Sequence, residues 1–440
     1  MKSKTRKLYG LGGFYIPLFF ILVSCLPAPS PITPTNVNNG NVQAATPVLV
    51  STLESDSSFQ PEIKLKAKCV EEVPLESRIL DGTLVVAGYS VADDLLLLNL
   101  KDVRTIPLGP SGTTFAGFSR ALSPGRDKLA YFDEMSRQIV IVDATGRRLE
   151  TFPDRGNWQG VIQWVDYENL LIEKYIDSPY EWSASVLFNL TNQAQKEYLP
   201  DYPDFLFFIV VPNWGNYAFT NAVYDPTFTR VIYPASPADS DDYDVLALWD
   251  LEAQREITHF YAYAPDYGGL PLWTKDGMDF IASFYPEVTS RKGNVYKNAY
   301  EDLPYHGGYE LFRVSRDGSV KRLSYLTTKY AAAEEGLSLS PDDTLVAFWL
   351  NIEYQGIRPK NGRMLTILNI STEEITNLCL PSGDYPWPPV WSPDGRYLAV
   401  TVSSSGTEYF SHILIVDLED GTYSKLSEGY SAEGWMSSGQ

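Results

Sequence analysis

The stretch Trp391–Val400, "WSPDGRYLAV", decides the fold because it is not alone. It reads as an aromatic anchor, a tight turn and the start of a strand. Degenerate copies run through the chain: "LSPGRDKLAY" from Leu122, "WVDYENLLIE" from Trp164, "VPNWGNYAFT" from Val211, "WTKDGMDFIA" from Trp273 and "LSPDDTLVAF" from Leu339. A partial copy, "LDGTLVVAG" from Leu80, keeps the turn and strand without the anchor. Self-similarity at a regular spacing is the mark of a repeat architecture.

A second series runs in step with the first. Each copy is followed by an apolar run ending in a short polar residue, at Asn99, Asp143, Asn189, Asp250, Ser315, Asn369 and Asp417. Most of these lead into a third strand-like piece such as "RRLETFP" or "EITNLCLP". Short β-branched and aromatic segments between Gly/Asp/Pro turns, without a long amphipathic helix, predict an all-β chain. Three or four strands per repeat predict a β-propeller, whereas a β-sandwich has no need of one phrase repeated.

The ends set the blade count. Trp435-Met436-Ser437-Ser438-Gly439 echoes the anchor and turn but has no strand after it, while the copy at Leu80 has the strand without an anchor. Joined, they predict seven blades over 61–440, closed by pairing of N- and C-terminal strands, which leaves no free edges at the seam. Six or eight blades stay open as alternatives if 62–78 supplies a strand.

The phrase followed by an "IxVxD"-type run resembles the WD40-like, or PD40, repeat of the periplasmic TolB propeller and of prolyl-oligopeptidase-type peptidases. The likeness is sharpest over 391–417 and 339–369 and extends over roughly 78–440. It implies a fold and says little about function, since propellers host unrelated activities.

The N-terminal residues have a different character. Lys2, Lys4, Arg6 and Lys7 precede an apolar run that closes on Leu22-Val23-Ser24-Cys25. The basic start and short apolar stretch fit a secretory signal over 1–24. The ending resembles the lipobox of bacterial lipoproteins, which implies cleavage before Cys25 and acylation of that residue. Residues 25–60, rich in Pro, Ser, Thr and Asn, cannot bury enough apolar surface to order themselves and read as a flexible tether. The expected location is the extracytoplasmic side of a bacterial membrane, with the lipid as the membrane contact.

The full chain carries 35 basic and 55 acidic residues, a net charge of −20. Loss of the four basic groups of the leader makes the remainder more acidic still. That argues against nucleic acid and leaves protein, peptide or glycan partners. Cys69 and Cys379 are the cysteines left in the exported part, a candidate disulfide.

Chemistry-bearing patterns are sparse. The G-x-S-x-G elbow of a hydrolase is approached only by "GLSLS" from Gly336 and "GYSAE" from Gly429, and both fail at the last position. His259, His306 and His412 lie far apart without metal-ligand spacing, and no metal is expected. "DSDDYD", with Asp239, Asp241 and Asp244, lacks the glycine and distal glutamate of a calcium loop. No phosphate-cradling loop is present and no cofactor is expected. The expectation is a protein without catalytic activity.

Loop lengths carry the functional reading. From turn anchor to the end of the second run, spacing is 21 residues in the first two blades but 39, 42 and 30 in blades four, five and six (211–250, 273–315, 339–369). The excess is expected between the second and third strands, on the same face as the connections between blades. These loops include "VYDPTFTRVIYP" and "KNAYEDLPYHGGY". They place Trp158, Tyr180, Trp182, Tyr202, Tyr267, Tyr305, Tyr330, Tyr385 and Trp387 on one aromatic, acidic rim, the expected ligand-binding face. Some of these rings are expected to pack beneath the loops instead. The expected function is a membrane-tethered protein- or peptide-binding scaffold; the alternative is a carbohydrate-binding or carbohydrate-active propeller.

Overall fold

The computed structural model describes residues 63–437 except 78–79, 89–93, 111–120, 177–181, 199–222, 236–243, 254, 263–270, 287, 290–294, 297–305, 354–361, 382–386 and 404–410. Where a strand runs into one of these stretches, some end residues are described by backbone alone. Seven sheets form the blades of a β-propeller, and no α-helix occurs among the described residues.

The repeated phrase makes the same hydrogen-bonded turn in each of five blades. In blade seven the Ser392 N–H bonds the Tyr397 carbonyl at 2.9 Å, and the Gly395 N–H bonds the Ser392 carbonyl at 3.0 Å. The Ser392 hydroxyl caps the turn by accepting the Tyr397 N–H at 2.8 Å. Ser123, Thr274 and Ser340 repeat all three bonds in blades two, five and six. The fourth position is left-handed in each of these four copies, at Gly395 (φ 76°), Gly277 (66°), Asp343 (58°) and Arg126 (55°). Glycine relieves strain there, which explains the "DG" of the better copies.

Blade four makes the turn with different residues. The Asp225 N–H bonds the Arg230 carbonyl at 3.0 Å, and the Phe228 N–H bonds the Asp225 carbonyl at 2.9 Å. Asp225 Oδ1 takes the cap position and accepts the Arg230 N–H at 2.6 Å; Phe228 supplies the left-handed residue. The sequence expectation placed this turn at Val211 and read "VYDPTFTRVIYP" as an insertion. That stretch is instead the turn and second strand of blade four, and "VPNWGNYAFT" lies outside the described residues.

The aromatic anchor stitches one blade to another. Trp391 Nε1 donates across to the Ser338 carbonyl on the inner strand of blade six (3.1 Å), and Trp273 Nε1 to Val223 on that of blade four (3.1 Å). The remaining apolar side chains pack between neighbouring sheets: Ile281 and Leu311 of blade five, for example, meet Ala332 and Phe348 of blade six. Burial of such surfaces is the main stabilising term of the ring.

Closure follows the expected scheme. The C-terminal strand Tyr430–Met436 is the inner strand of blade one and pairs with Thr83–Gly88, Leu84 opposite Trp435. The segment 62–78 makes no further blade. Leu65–Ala67 adds in parallel to Ile375–Pro381, the outer strand of blade six, and Glu71–Glu72 adds to Thr422–Glu428, that of blade seven. Between these two short strands Cys69 is joined to Cys379 by a disulfide, Cα–Cα 4.8 Å. The outer edges of two blades are thereby covered by one clamped strap.

Candidate functional site

Strand boundaries locate the insertions. The gap between second and third strands spans Asp133 to Gln138 in blade two and Ala235 to Asp244 in blade four, but Phe284 to Glu310 in blade five and Glu353 to Met364 in blade six. The insertion expected in blade four is therefore absent. Its extra length belongs to 199–222, the connection from blade three to blade four. Blade five carries the longest insertion, which contains a small hairpin pairing Val288–Thr289 with Val295–Tyr296.

The two legs of this insertion meet each other, and the return leg meets the connection from blade five to blade six. Tyr285 follows the second strand of blade five and Tyr309 precedes the third; their rings lie 4.8 Å apart at an interplanar angle of 50°. Tyr325 sits under the Arg322 guanidinium (4.7 Å), and the Lys329 ammonium lies 5.3 Å from the Tyr330 ring. All four tyrosines are half-buried. The body of each ring is held while part of it faces solvent, as suits a recognition surface.

Backbone hydrogen bonds fix the return leg of the insertion to blade six. The His306 N–H donates to Thr327 (2.8 Å), the Tyr309 N–H to Ala332 (2.8 Å), and the Ala332 N–H to Gly307 (3.1 Å). Gly308 permits this approach: a Cβ there would stand 1.6 Å from the Ala332 carbonyl oxygen, and its φ is +98°. Only glycine fits such a contact.

Beneath the leg lies a buried polar cluster. Glu310, the first residue of the third strand, has no exposed surface and meets Arg322 Nη2 at 2.6 Å. It also accepts the N–H and the hydroxyl of Thr327, each at 2.6 Å. The Ser324 hydroxyl bridges Glu310 and Glu334, the latter at 2.9 Å. Glu334 is fully buried on the inner strand of blade six, and its Oε2 has no hydrogen-bond partner among the described residues. Burial, and then the charge of Glu310, push its carboxyl well above the usual carboxylate range.

The sequence-predicted residues divide. Trp158 is corrected: it opens the inner strand Trp158–Trp164 of blade three, is fully buried, and packs edge-on against Phe188 at 5.3 Å. It belongs to the core and not to a rim. Tyr330 lies at the blade five–six corner described above. Trp387 is half-buried, and its carbonyl accepts Trp349 Nε1 at 2.6 Å. Trp182 opens the third strand of blade three and is described by backbone alone. Tyr180, Tyr202, Tyr267, Tyr305 and Tyr385 lie outside the described residues, as do Cys25, Asp239 and Asp241.

His259 falls on the outer strand of blade four, His412 on the third strand of blade seven, and His306 on the return leg. Among the described residues no three His, Cys, Asp or Glu side chains gather as metal ligands. Tyr285, Tyr309 and Tyr325 were missed by sequence reasoning. Their signal was position, an aromatic at each end of the longest insertion and one in the adjoining connection.

No family model matches the chain, and no curated protein does. Solved structures do share its fold. A puromycin hydrolase is 13% identical with a TM-score of 0.50, over 82% of this chain and 57% of that one. An oligogalacturonate lyase from Vibrio parahaemolyticus is 10% identical with a TM-score of 0.45, over 79% and 86%. TolB from Acinetobacter baumannii is 14% identical with a TM-score of 0.39, over 80% and 81%. At such identities the likeness is one of fold. The puromycin hydrolase shows that an enzyme can carry this fold, which overturns the expectation that this chain is not one: an elbow motif missing from the sequence is no ground for excluding catalysis on a propeller.

Proposed function

We propose that the chain is a lipid-tethered extracytoplasmic propeller that captures a protein or peptide at the blade five–six corner. The observation that carries this reading is the fixed insertion of blade five. Its two legs present the paired rings of Tyr285 and Tyr309, and backbone bonds hold its return leg to the connection that carries Tyr325 and Tyr330. Half-held aromatic rings give contact area at small entropic cost, and a long loop on a rigid scaffold is the usual place for recognition. The acidic balance of the chain favours a partner with basic groups. The Cys69–Cys379 disulfide fits an oxidising compartment outside the cytoplasm, and tethering at Cys25 fits the leader sequence.

The test is a peptide and glycan array probed with the full chain in detergent, beside a Tyr309→Ala, Tyr325→Ala double variant. Basic peptides captured by the native chain, with signal reduced about ten-fold or more in the variant, support the reading. Capture of glycans in place of peptides, lost in the same variant, would replace it with the carbohydrate alternative. Capture unchanged by the variant would move the site away from this corner.

A further inference from the structure

The polar cluster under the return leg contains one proton more than its hydroxyl can supply. Ser324 Oγ already accepts the Leu311 N–H at 2.9 Å and stands within hydrogen-bonding distance of both Glu310 Oε2 and Glu334 Oε1. A serine hydroxyl has a single proton and can donate to one carboxylate only. With both carboxyls ionised, one of the two bridges would set oxygen against oxygen in a site without water-facing surface. Glu310 is surrounded by donors, namely Arg322, the Thr327 N–H and hydroxyl, and Ser324. The acid proton therefore belongs to Glu334, whose second oxygen faces no donor.

We propose that the Glu310–Ser324–Glu334 bridge is a one-proton latch that holds the return leg of the blade-five insertion on blade six, so that loss of the proton frees the leg. The position of the three residues makes this specific. Glu310 directly follows the leg, Ser324 and Thr327 lie in the connection to which it is bonded, and Glu334 is two residues from Ala332, its backbone partner. The charged groups facing Glu334 are Glu310 and Arg322. The residue opposite it on the second strand of blade six is Leu350, which packs in one apolar core cluster with Ile281 and Leu311 of blade five. Glu335, its neighbour, is paired with Arg363. Among the described residues no other donor reaches Glu334 Oε2. The latch deepens the binding reading above, on which its biological meaning rests: capture at the corner weakens as pH rises.

The sign follows from linkage. The latched state holds the proton more tightly than the open one, so opening is rare below the ordinary carboxylate range. It grows as pH rises toward the raised value of Glu334, by up to about ten-fold per pH unit for one proton, and then levels. The experiment is amide hydrogen exchange on the full chain from about pH 5 to pH 8, corrected for intrinsic rates, reading Tyr309 and Ala332. The Ala130 amide of blade two, bonded to Ala121, monitors whole-ring opening. The native chain is expected to lose protection at Tyr309 and Ala332, beyond any loss at Ala130, as pH rises. Glu334→Gln, whose amide donates to Ser324 at every pH, should keep it. Glu310→Gln should end the rise at lower pH, because the neighbouring charge is gone, and it serves alone if Glu334→Gln does not fold. His306→Gln, on the exposed leg, should leave the profile in place. A flat native profile, or Glu334→Gln following the native one, overturns the latch. No ligand enters this measurement, so the latch and the binding reading fail separately.

Discussion

The two faces of the ring are built on opposite terms. One carries the turns between first and second strands, and five of these share one hydrogen-bonding scheme from Ser123 to Ser392. The other carries the connections between second and third strands and between blades, whose lengths differ widely, from Asp133 to Gln138 in blade two to Phe284 to Glu310 in blade five. The first face tolerates change in residue identity as long as an acceptor oxygen and a left-handed residue are kept, as Asp225 and Phe228 show. The second face is free to vary because its strands are already fixed from below. Constancy on one side is what permits variety on the other.

The inner strand between the two faces gives the largest expected effect. Glu433 sits at a bulge in Tyr430–Met436, buried, with Ser431 as its hydrogen-bond partner at 2.7 Å, and burial raises its carboxyl to about 8. A raised carboxyl stabilises the fold fully below its ordinary value of about 4.5 and loses that contribution as pH climbs to about 8. Urea titrations from about pH 4.5 to pH 8 should show a fall of about 4 kcal/mol that is missing in Glu433→Gln. An equal fall in both proteins would remove Glu433 as its source.

On the constant face, Asp225→Ala removes the acceptor of the Thr227, Thr229 and Arg230 N–H groups at a fully buried position. A loss of about 2–3 kcal/mol is expected by urea unfolding, with array binding by the folded fraction unchanged. A loss of binding as well would break the division between faces. Ser392→Ala leaves the backbone bonds of its turn in place and removes the hydroxyl cap, so about 1 kcal/mol is expected. A zero effect there would assign the turn's stability to the backbone alone. Smallest of all, shortening 288–304 should change stability by no more than about 0.5 kcal/mol while abolishing binding. A larger destabilisation would make the insertion part of the frame.

The same division explains what sequence could reveal. The anchor, turn and run of "WSPDGRYLAV" are demanded by the ring, so they recur and can be counted; the half-copy at Trp435 even told how the ring closes. Blade four escaped because its turn carries neither the tryptophan nor the glycine of the better copies, whereas the turn itself needs an oxygen at its first position. Asp225 provides that oxygen without either cue. Trp158 misled for a related reason: a tryptophan beside a Gly-Asn turn looks the same whether it opens a buried strand or decorates a rim. Glu310 and Glu334 were invisible, since a glutamate in an alternating pattern reads as solvent-facing until its neighbours in space are known. Tyr309 and Tyr325 come to one corner only because the return leg is bonded to the crossing from blade five to blade six.

The strap at Leu65–Ala67 and Cys69 also has a mechanical meaning. A chain held by its N-terminal end and pulled by a partner at the blade five–six corner carries tension along a short line. The pull enters at the strap, crosses the covalent bridge to Cys379 on blade six, and leaves through the adjoining blade. Blade one, whose inner and second strands are joined by hydrogen bonds alone, stands outside that line. The seam that closes the ring is thereby spared the load.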